Sequence, residues 1–363
     1  MLKNLFLLMK EWGASDLFLK DGAAPYVRVQ GRVQPLSMAP LTAENINGYV
    51  RELLDPEQWE RFQRSPDLDV AILVPQIGRF RINVLRQQGA PGLVIRLVHS
   101  GNLTFADLGL PDGVRQLAEK KRGLILVTGA AGSGKSTTVA AIIHHINITR
   151  PGHIVTIEDP IEYVHQDGLC LIDQRQVGRD TMSFANGLKH VIRQSPDVIV
   201  IGEIRDLETI SIAISASQTG HLVVTTMHTA DAVQTLDRIV NYYPDYNRNQ
   251  VRKELSLCLQ GIVSQRLLAR ADGRGRVPAL EIMITNPGIR KSLAEGKHQD
   301  VHQIMARHQD MGMSTLDLSL LHLVQQQIVT DDEALANATN PEGLRLNLSG
   351  MFSNVADNTL ELI

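Results

Sequence analysis

The sequence predicts an α/β fold: a small α+β domain, then a doubly wound unit built on a parallel sheet, then a helical region. Three observations predict it. The runs Leu124 to Thr128, Ile154 to Ile157, Val198 to Ile201 and Leu222 to Thr225 are short, apolar and largely β-branched, with helical patterns between them, as a sheet buried on both faces requires. Residues before about 100 instead mix alternating strands with amphipathic helices. The turn-rich stretch 100–114 separates the two patterns.

Taken in order, Leu2, Leu5, Phe6 and Met9 recur at helical spacing and predict an amphipathic helix that packs on its own domain. Asp16 to Leu19, Tyr26 to Val29 and Arg32 to Leu36 read as strands broken at Asp21-Gly22 and Gly31. Thr42 opens an amphipathic stretch that runs past Pro56 to Phe62. Asp69 to Val74, Phe80 to Leu85 and Leu93 to Val98 form a meander, the last two joined by a turn over Gln88 to Gly92. Beyond the parallel-sheet runs the sequence turns helical, with one long pattern from Asn249 to Leu268 and two or three shorter ones from Pro287 to Leu323. The expected divisions are a domain over 1–99, a linker over 100–114, a core over 115–285 and a helical region with a tail over 286–363.

Composition bounds the function. A chain of 363 residues suits about two domains of ordinary size. With 43% hydrophobic and 21% charged residues it matches soluble globular proteins and excludes disorder as the main state. Lys and Arg number 36 against 39 Asp and Glu, and the net charge of −3 provides no basic field for nucleic acid or anionic lipid. Cys170 and Cys258 cannot make a disulfide framework or a four-thiolate zinc site, which fits a reducing, cytosolic location. No apolar run approaches the roughly 20 residues of a membrane span, and Leu5 to Met9 is too short for a signal-peptide core.

The strongest motif is Gly129-Ala130-Ala131-Gly132-Ser133-Gly134-Lys135-Ser136, which matches G-x-x-x-x-G-K-[ST] between an apolar strand and the helical run that starts at Thr137. Its glycines let backbone N–H groups converge on a phosphate at a helix N-terminus. Lys135 supplies charge to the outer phosphates, and the Ser136 hydroxyl reaches Mg²⁺. Hydrolysis also needs acidic groups at neighbouring strand ends. Thr156-Ile157-Glu158-Asp159-Pro160-Ile161-Glu162 and Val198-Ile199-Val200-Ile201-Gly202-Glu203 offer Glu158, Asp159, Glu162 and Glu203, with solvated acidic loops as the plainer alternative.

His221 and His228 flank the run Leu222 to Thr225. They read as a sensor of the terminal phosphate or as histidines satisfied at strand ends; a zinc pair is weaker, because no further ligands stand at metal spacing. In Gly78-Arg79-Phe80-Arg81-Ile82-Asn83-Val84 the alternation turns Phe80, Ile82 and Val84 inward and Arg79, Arg81 and Asn83 outward, with Arg96 on the partner strand. That arginine face is either simply solvated or supplies guanidinium groups to the nucleotide.

Four ordered motifs then coincide: the phosphate loop, Thr-Ile-Glu-Asp-Pro-Ile-Glu, Arg193-Gln194-Ser195-Pro196-Asp197 through Asp206, and Gly220-His221 through Thr229. Together they resemble the type IV pilus and type II secretion ATPases, and within them the twitching-motility retraction branch of PilT and especially PilU. Ala14-Ser15-Asp16-Leu17-Phe18-Leu19 and Val27 to Arg32 are similar to the start of that family's PAS-like domain. The resemblance implies a hexameric ring of RecA-like P-loop domains that uses ATP and Mg²⁺. It also implies work at the cytoplasmic face of the inner membrane, on an inner-membrane pilus platform protein and beside a second retraction ATPase. By motif position it makes Glu162 the general base in an acidic box with Glu158 and Asp159, and Glu203 the Walker B glutamate. His221 and His228 become a His box, Arg81 and Arg96 the arginines that approach phosphate, and Gly129 through Thr137 the nucleotide cradle. The branch's Ala-Ile-Arg-Asn-Leu signature is here Gly288-Ile289-Arg290-Lys291-Ser292, a departure that points to an accessory retraction role.

Two other classes share the phosphate loop. A hexameric nucleic-acid motor is disfavoured by the near-neutral charge and the 4% aromatic content. A non-catalytic nucleotide-binding ring adaptor is separated by its lack of basal turnover.

Overall fold

The computed structural model describes residues 2–29, 31–100 and 103–349, and the chain divides into two compact units. One comprises the chain to Gly101 together with Glu162–Val164; the other comprises Asn102–Ile161 and the chain from His165. Residues 101–102 of the expected linker and 350–363 of the expected tail lie outside the described residues.

The N-terminal unit runs α1 (Leu2–Glu11), β1 (Ala14–Lys20), β2 (Tyr26–Val29), β3 (Arg32–Pro35), α2 (Ala43–Leu53), α3 (Pro56–Arg64), β4 (Asp67–Val74), β5 (Gly78–Gln87) and β6 (Ala90–Ser100). Leu2, Leu5, Phe6 and Met9 of α1 are all buried, and Phe6 stacks on Phe80 with ring centroids 4.3 Å apart. The stretch from Thr42 to Phe62 is two helices, because Leu54 turns extended and Asp55 starts α3 by accepting from the Gln58 N–H. Pro56 occupies the first helical position, where its missing N–H costs nothing.

These strands form an antiparallel sheet in the order β3-β2-β1-β6-β5-β4. The β5–β6 turn is shorter than expected. Only Gln88 and Gly89 make it, both at positive φ, as a tight hairpin matching strand twist requires, and Pro91 and Gly92 lie within β6.

In the C-terminal unit, α4 (Asp112–Ala118) starts inside the stretch expected as linker and buries Val114 and Leu117 in the core. Then come β7 (Gly123–Thr128), α5 (Lys135–Thr149) and β8 (Gly152–Glu158). The two-residue β9 (Tyr163–Val164) leaves this unit and pairs in parallel with β6, Tyr163 beside His99 and Val164 beside Ser100. The chain returns as β10 (Cys170–Gln176), α6 (Phe184–Val191), β11 (Val198–Ile201), α7 (Leu207–Gln218), β12 (Leu222–Met227), α8 (Ala232–Asn241) and α9 (Asp245–Cys258). It continues as β13 (Leu259–Ala269), β14 (Arg276–Ile284), α10 (Pro287–Glu295), α11 (Val301–Arg307), α12 (Leu316–Gln325), α13 (Asp331–Asn337) and α14 (Pro341–Leu348).

The seven-stranded sheet has the order β10-β8-β11-β12-β7-β13-β14, parallel throughout except for β14. Every residue of β7 and β12 is buried, so both faces at the centre of the sheet are covered. The long helix expected from Asn249 to Leu268 is corrected. It ends at Cys258, and Leu259–Ala269 is a strand between β7 and β14. Most of this strand is buried on both faces, so its polar and apolar residues do not alternate at period two, and without that alternation periodicity cannot tell it from a buried helix. Past β14, Leu316, Leu320, Val329, Ala334 and Leu344 form a satellite core against Leu268, Val277 and Ala279 of β13 and β14.

Candidate active site

The phosphate loop sits where β7 stops. Gly129, Gly132 and Gly134 all take positive φ, at 144°, 77° and 90°. Gly134 occupies the cap position of α5, which has no side-chain cap and no acidic residue in its first turn, so its positive end is left to an anion. A side chain at Gly132 would meet open space, whereas one at Gly129 would stand 2.4 Å from the Gln265 carbonyl. The Ser133 hydroxyl is buried without a hydrogen-bond partner, a polar atom that a phosphate oxygen would satisfy. This cradle fits an anion such as a phosphate, and Ser136 and Thr137 are the second and third residues of the helix that opens from it.

A chain of polar contacts leads from the loop across two strand ends. Lys135, 8% exposed, donates through Nζ to the carbonyls of Gly129 and Ala130 at 2.9 Å each, and lies 3.4 Å from His228 Nδ1. His228 Nε2 lies 3.3 Å from Glu203 Oε2. An ammonium has only protons to give, so Nδ1 accepts and the proton of a neutral imidazole sits on Nε2, facing the carboxylate. Arg205 grips the other oxygen of Glu203, and that bond, with the charges of Glu203 and Asp159, raises Arg205 above its ordinary value. Beside this chain a cleft of about 550 Å³ opens between Ala130, His228 to Ala230 and the Gln234, Asp237, Arg238 and Asn241 side of α8.

The strand ends explain the acidic residues. β8, β11 and β12 run parallel to β7, so Glu158, Gly202-Glu203 and His228 emerge at the same sheet edge as the loop. A Cβ at Gly202 would come within 3.3 Å of the Ile157 carbonyl and 3.4 Å of Phe184. Thr226 donates to the Gly202 carbonyl at 2.6 Å and fixes the turn that presents Glu203. Glu158 accepts from Thr156 Oγ1 at 2.7 Å and Gln174 Nε2 at 3.1 Å, which binds it to the sheet edge.

The family model for type II/IV secretion system proteins matches residues 57–338. The chain belongs to this family. The type IV pilus retraction ATPase PilT of Pseudomonas aeruginosa is 40% identical over 339 residues, 93% of this chain and 98% of its own length. The type IV pilus ATPase PilU of the same organism is 39% identical over 360 residues, 99% of this chain and 94% of its own. The crystal structure of the pilus retraction motor PilT with bound ADP superposes with a TM-score of 0.87 at 41% identity, covering 94% of this chain and 98% of that one. The chain is thus a nucleotide-binding ATPase of the retraction branch, with a RecA-like P-loop domain and a smaller PAS-like domain.

Not every residue named from the sequence of this retraction ATPase gathers at the loop. His221 lies at the opposite end of β12 from His228, about 20 Å away at strand rise. There it bonds the end of α7 through Ala216 and Thr219, and its carbonyl accepts from Gly123 N. Glu162 leads into β9 and groups with the N-terminal unit, as do Arg81 and Arg96. Those arginines are direct cross-strand partners on the face opposite buried Phe80, Ile82 and Val84. Arg96 Nε donates to Asp16 at 2.8 Å and Arg28 pairs with the same carboxylate at 3.3 Å, while Arg81 faces Asp69 at 3.9 Å. Asp16 is 4% exposed, a buried anion holding two cations.

Sequence reasoning missed Thr128, Thr138, Ser264 and Gln265, which join β13 to the phosphate loop by buried hydrogen bonds. Their signal was the polar stretch Ser264-Gln265-Arg266 between the apolar pairs Ile262-Val263 and Leu267-Leu268.

Proposed function

We propose that the chain hydrolyses Mg²⁺-ATP as a homohexameric ring at the cytoplasmic face of the inner membrane and retracts type IV pili, as an accessory motor beside a second retraction ATPase. The observation that carries hydrolysis is the continuous path from Lys135 through His228 to Glu203, which ties the phosphate-binding cation to a strand-end carboxylate. In this reading Lys135 binds the outer phosphates, Ser136 holds Mg²⁺ and Glu162 takes the proton of the attacking water. Glu203 and His228 register the terminal phosphate, and Arg81 and Arg96 neutralise its charge.

Among the described residues no helix is long and apolar enough to cross a membrane, so attachment there falls to a partner, the inner-membrane platform protein. The accessory role rests on the segment Gly288-Ile289-Arg290-Lys291-Ser292. Ile289 is fully buried, and Arg290 donates to the carbonyl of Leu257, so the arginine is held against the end of α9.

The purified full-length chain tests the enzymatic part. Lys135→Ala should lose nucleotide, while Glu162→Gln should keep it and turn over about 10²–10⁴-fold more slowly, the usual worth of a general base. Unchanged turnover moves the base to Glu158 or Glu203, and no turnover in the parent chain leaves a nucleotide-binding adaptor. Stimulation by DNA would favour a nucleic-acid motor. In cells, deletion should leave surface pili and weaken retraction under load. Loss of pili would make the chain an assembly motor.

A further inference from the structure

We propose that Gln265 is a positioning residue that sets the phosphate loop for the β-phosphate, an inference that rests on the loop's being the nucleotide site. The carboxamide is 3% exposed and both of its ends are committed: Nε2 donates to the Ser133 carbonyl at 2.7 Å and Oε1 accepts from Thr138 Oγ1 at 2.7 Å. One contact holds the loop's outer arm and the other holds the first turn of α5, so the side chain spans the segment Ser133 to Thr138 in which Lys135 and Ser136 lie. Its polarity is forced, since a carbonyl can only accept and the amide nitrogen must face it. Ser264 adds a third tie, its hydroxyl 3.0 Å from that of Thr128 at the end of β7.

The glycines of the loop carry the imprint of this strand. A Cβ at Gly134 would stand 2.7 Å from Gln265 Nε2, and one at Gly129 would stand 2.4 Å from the Gln265 carbonyl. The backbone of β13 therefore crowds position 129, while at position 134 it is the Gln265 side chain itself that fills the space a Cβ would take. Both of its polar ends are spent on protein atoms. Its effect passes through the backbone N–H groups that Ser133 and its neighbours present.

The test measures ADP and AMP affinity by calorimetry on the full chain, because the loop grips the β-phosphate that AMP lacks. Gln265→Met, close in volume, should lower the ADP-over-AMP affinity ratio about tenfold, equivalent to about 1.4 kcal/mol. Gln265→Glu keeps the shape and the Thr138 bond but loses the donor toward Ser133. Its ratio should fall when the carboxyl is ionised and recover on acidification, when the protonated carboxyl can donate again. The Glu variant carries the test if the Met variant does not fold. A lower melting temperature with an unchanged ratio, or no pH-dependent recovery in the Glu variant, would make Gln265 a structural residue only. A parent chain that binds no ADP would instead refute the nucleotide reading itself.

Discussion

Replacing Gly134 by alanine should harm the fold more than the same change at Gly132, although both glycines lie in one loop at positive φ. Each alanine would sit in left-handed backbone, at 90° and 77°, which costs about 1–2 kcal/mol for a residue with a Cβ. Gly132 meets nothing within 4 Å, so its cost ends there. At Gly134 the new methyl would stand 2.7 Å from Gln265 Nε2 and 3.4 Å from Leu267 Cδ1, and the carboxamide must move. Moving it strands the buried Ser133 carbonyl or the Thr138 hydroxyl, at about 1–3 kcal/mol for an unsatisfied group. A domain of this size shifts by about 2–4 °C per kcal/mol, so thermal denaturation without nucleotide should separate the two variants by at least about 2 °C. Equal losses, or a larger loss at Gly132, would show that crowding by β13 does not set the requirement for glycine.

Titration of His302 should shape stability near neutrality. Its hydrogen bond to Glu281, which also accepts from the Ala232 N–H at 2.7 Å, raises it above its ordinary value against the opposing effect of burial. The stabilisation is complete below about 6.5 and is lost as pH rises through the raised value, so the melting-temperature gap between parent and His302→Gln should shrink from pH 6 to pH 8. A constant gap would refute the ion pair. His165 has the opposite sign: burial pushes it down to about 4, and stability should fall as pH drops from about 6.5 toward that value. His165→Gln should flatten this acid limb, and an unchanged slope would place the acid sensitivity elsewhere. Asp16→Asn should destabilise by about 1–3 kcal/mol in thermal denaturation, because a charge-assisted bond to Arg96 and the pairing with Arg28 weaken together. A neutral outcome would mean the exposed guanidinium groups gain as much from water.

What could be read from the sequence was local. The phosphate loop is legible because its glycines and lysine encode backbone shape within eight residues. β5 is legible because alternation at period two separates Phe80, Ile82 and Val84 from the arginines. The strand β13 was hidden because burial on both faces erases periodicity. Gln265 was hidden for another reason: its partners Ser133 and Thr138 are more than a hundred residues away, and only the parallel pairing of β13 with β7 brings them together. The separation of His221 from His228 could have been deduced, since a strand between them must carry them to opposite ends of the sheet.

The excursion of β9 into the other unit makes the two halves of this chain inseparable by a single cut. The backbone crosses between units after Gly101, before Glu162 and after Val164. A gene fragment starting at 115 would therefore carry Tyr163 and Val164 without the strand they pair with, and would leave Glu162 at the head of an unmatched segment. A protease nick in the linker would likewise leave the halves joined through this ladder. Recombination that exchanged the N-terminal module for a relative's would have to match the strand that receives β9 as well as the linker, so the two modules are expected to be inherited together.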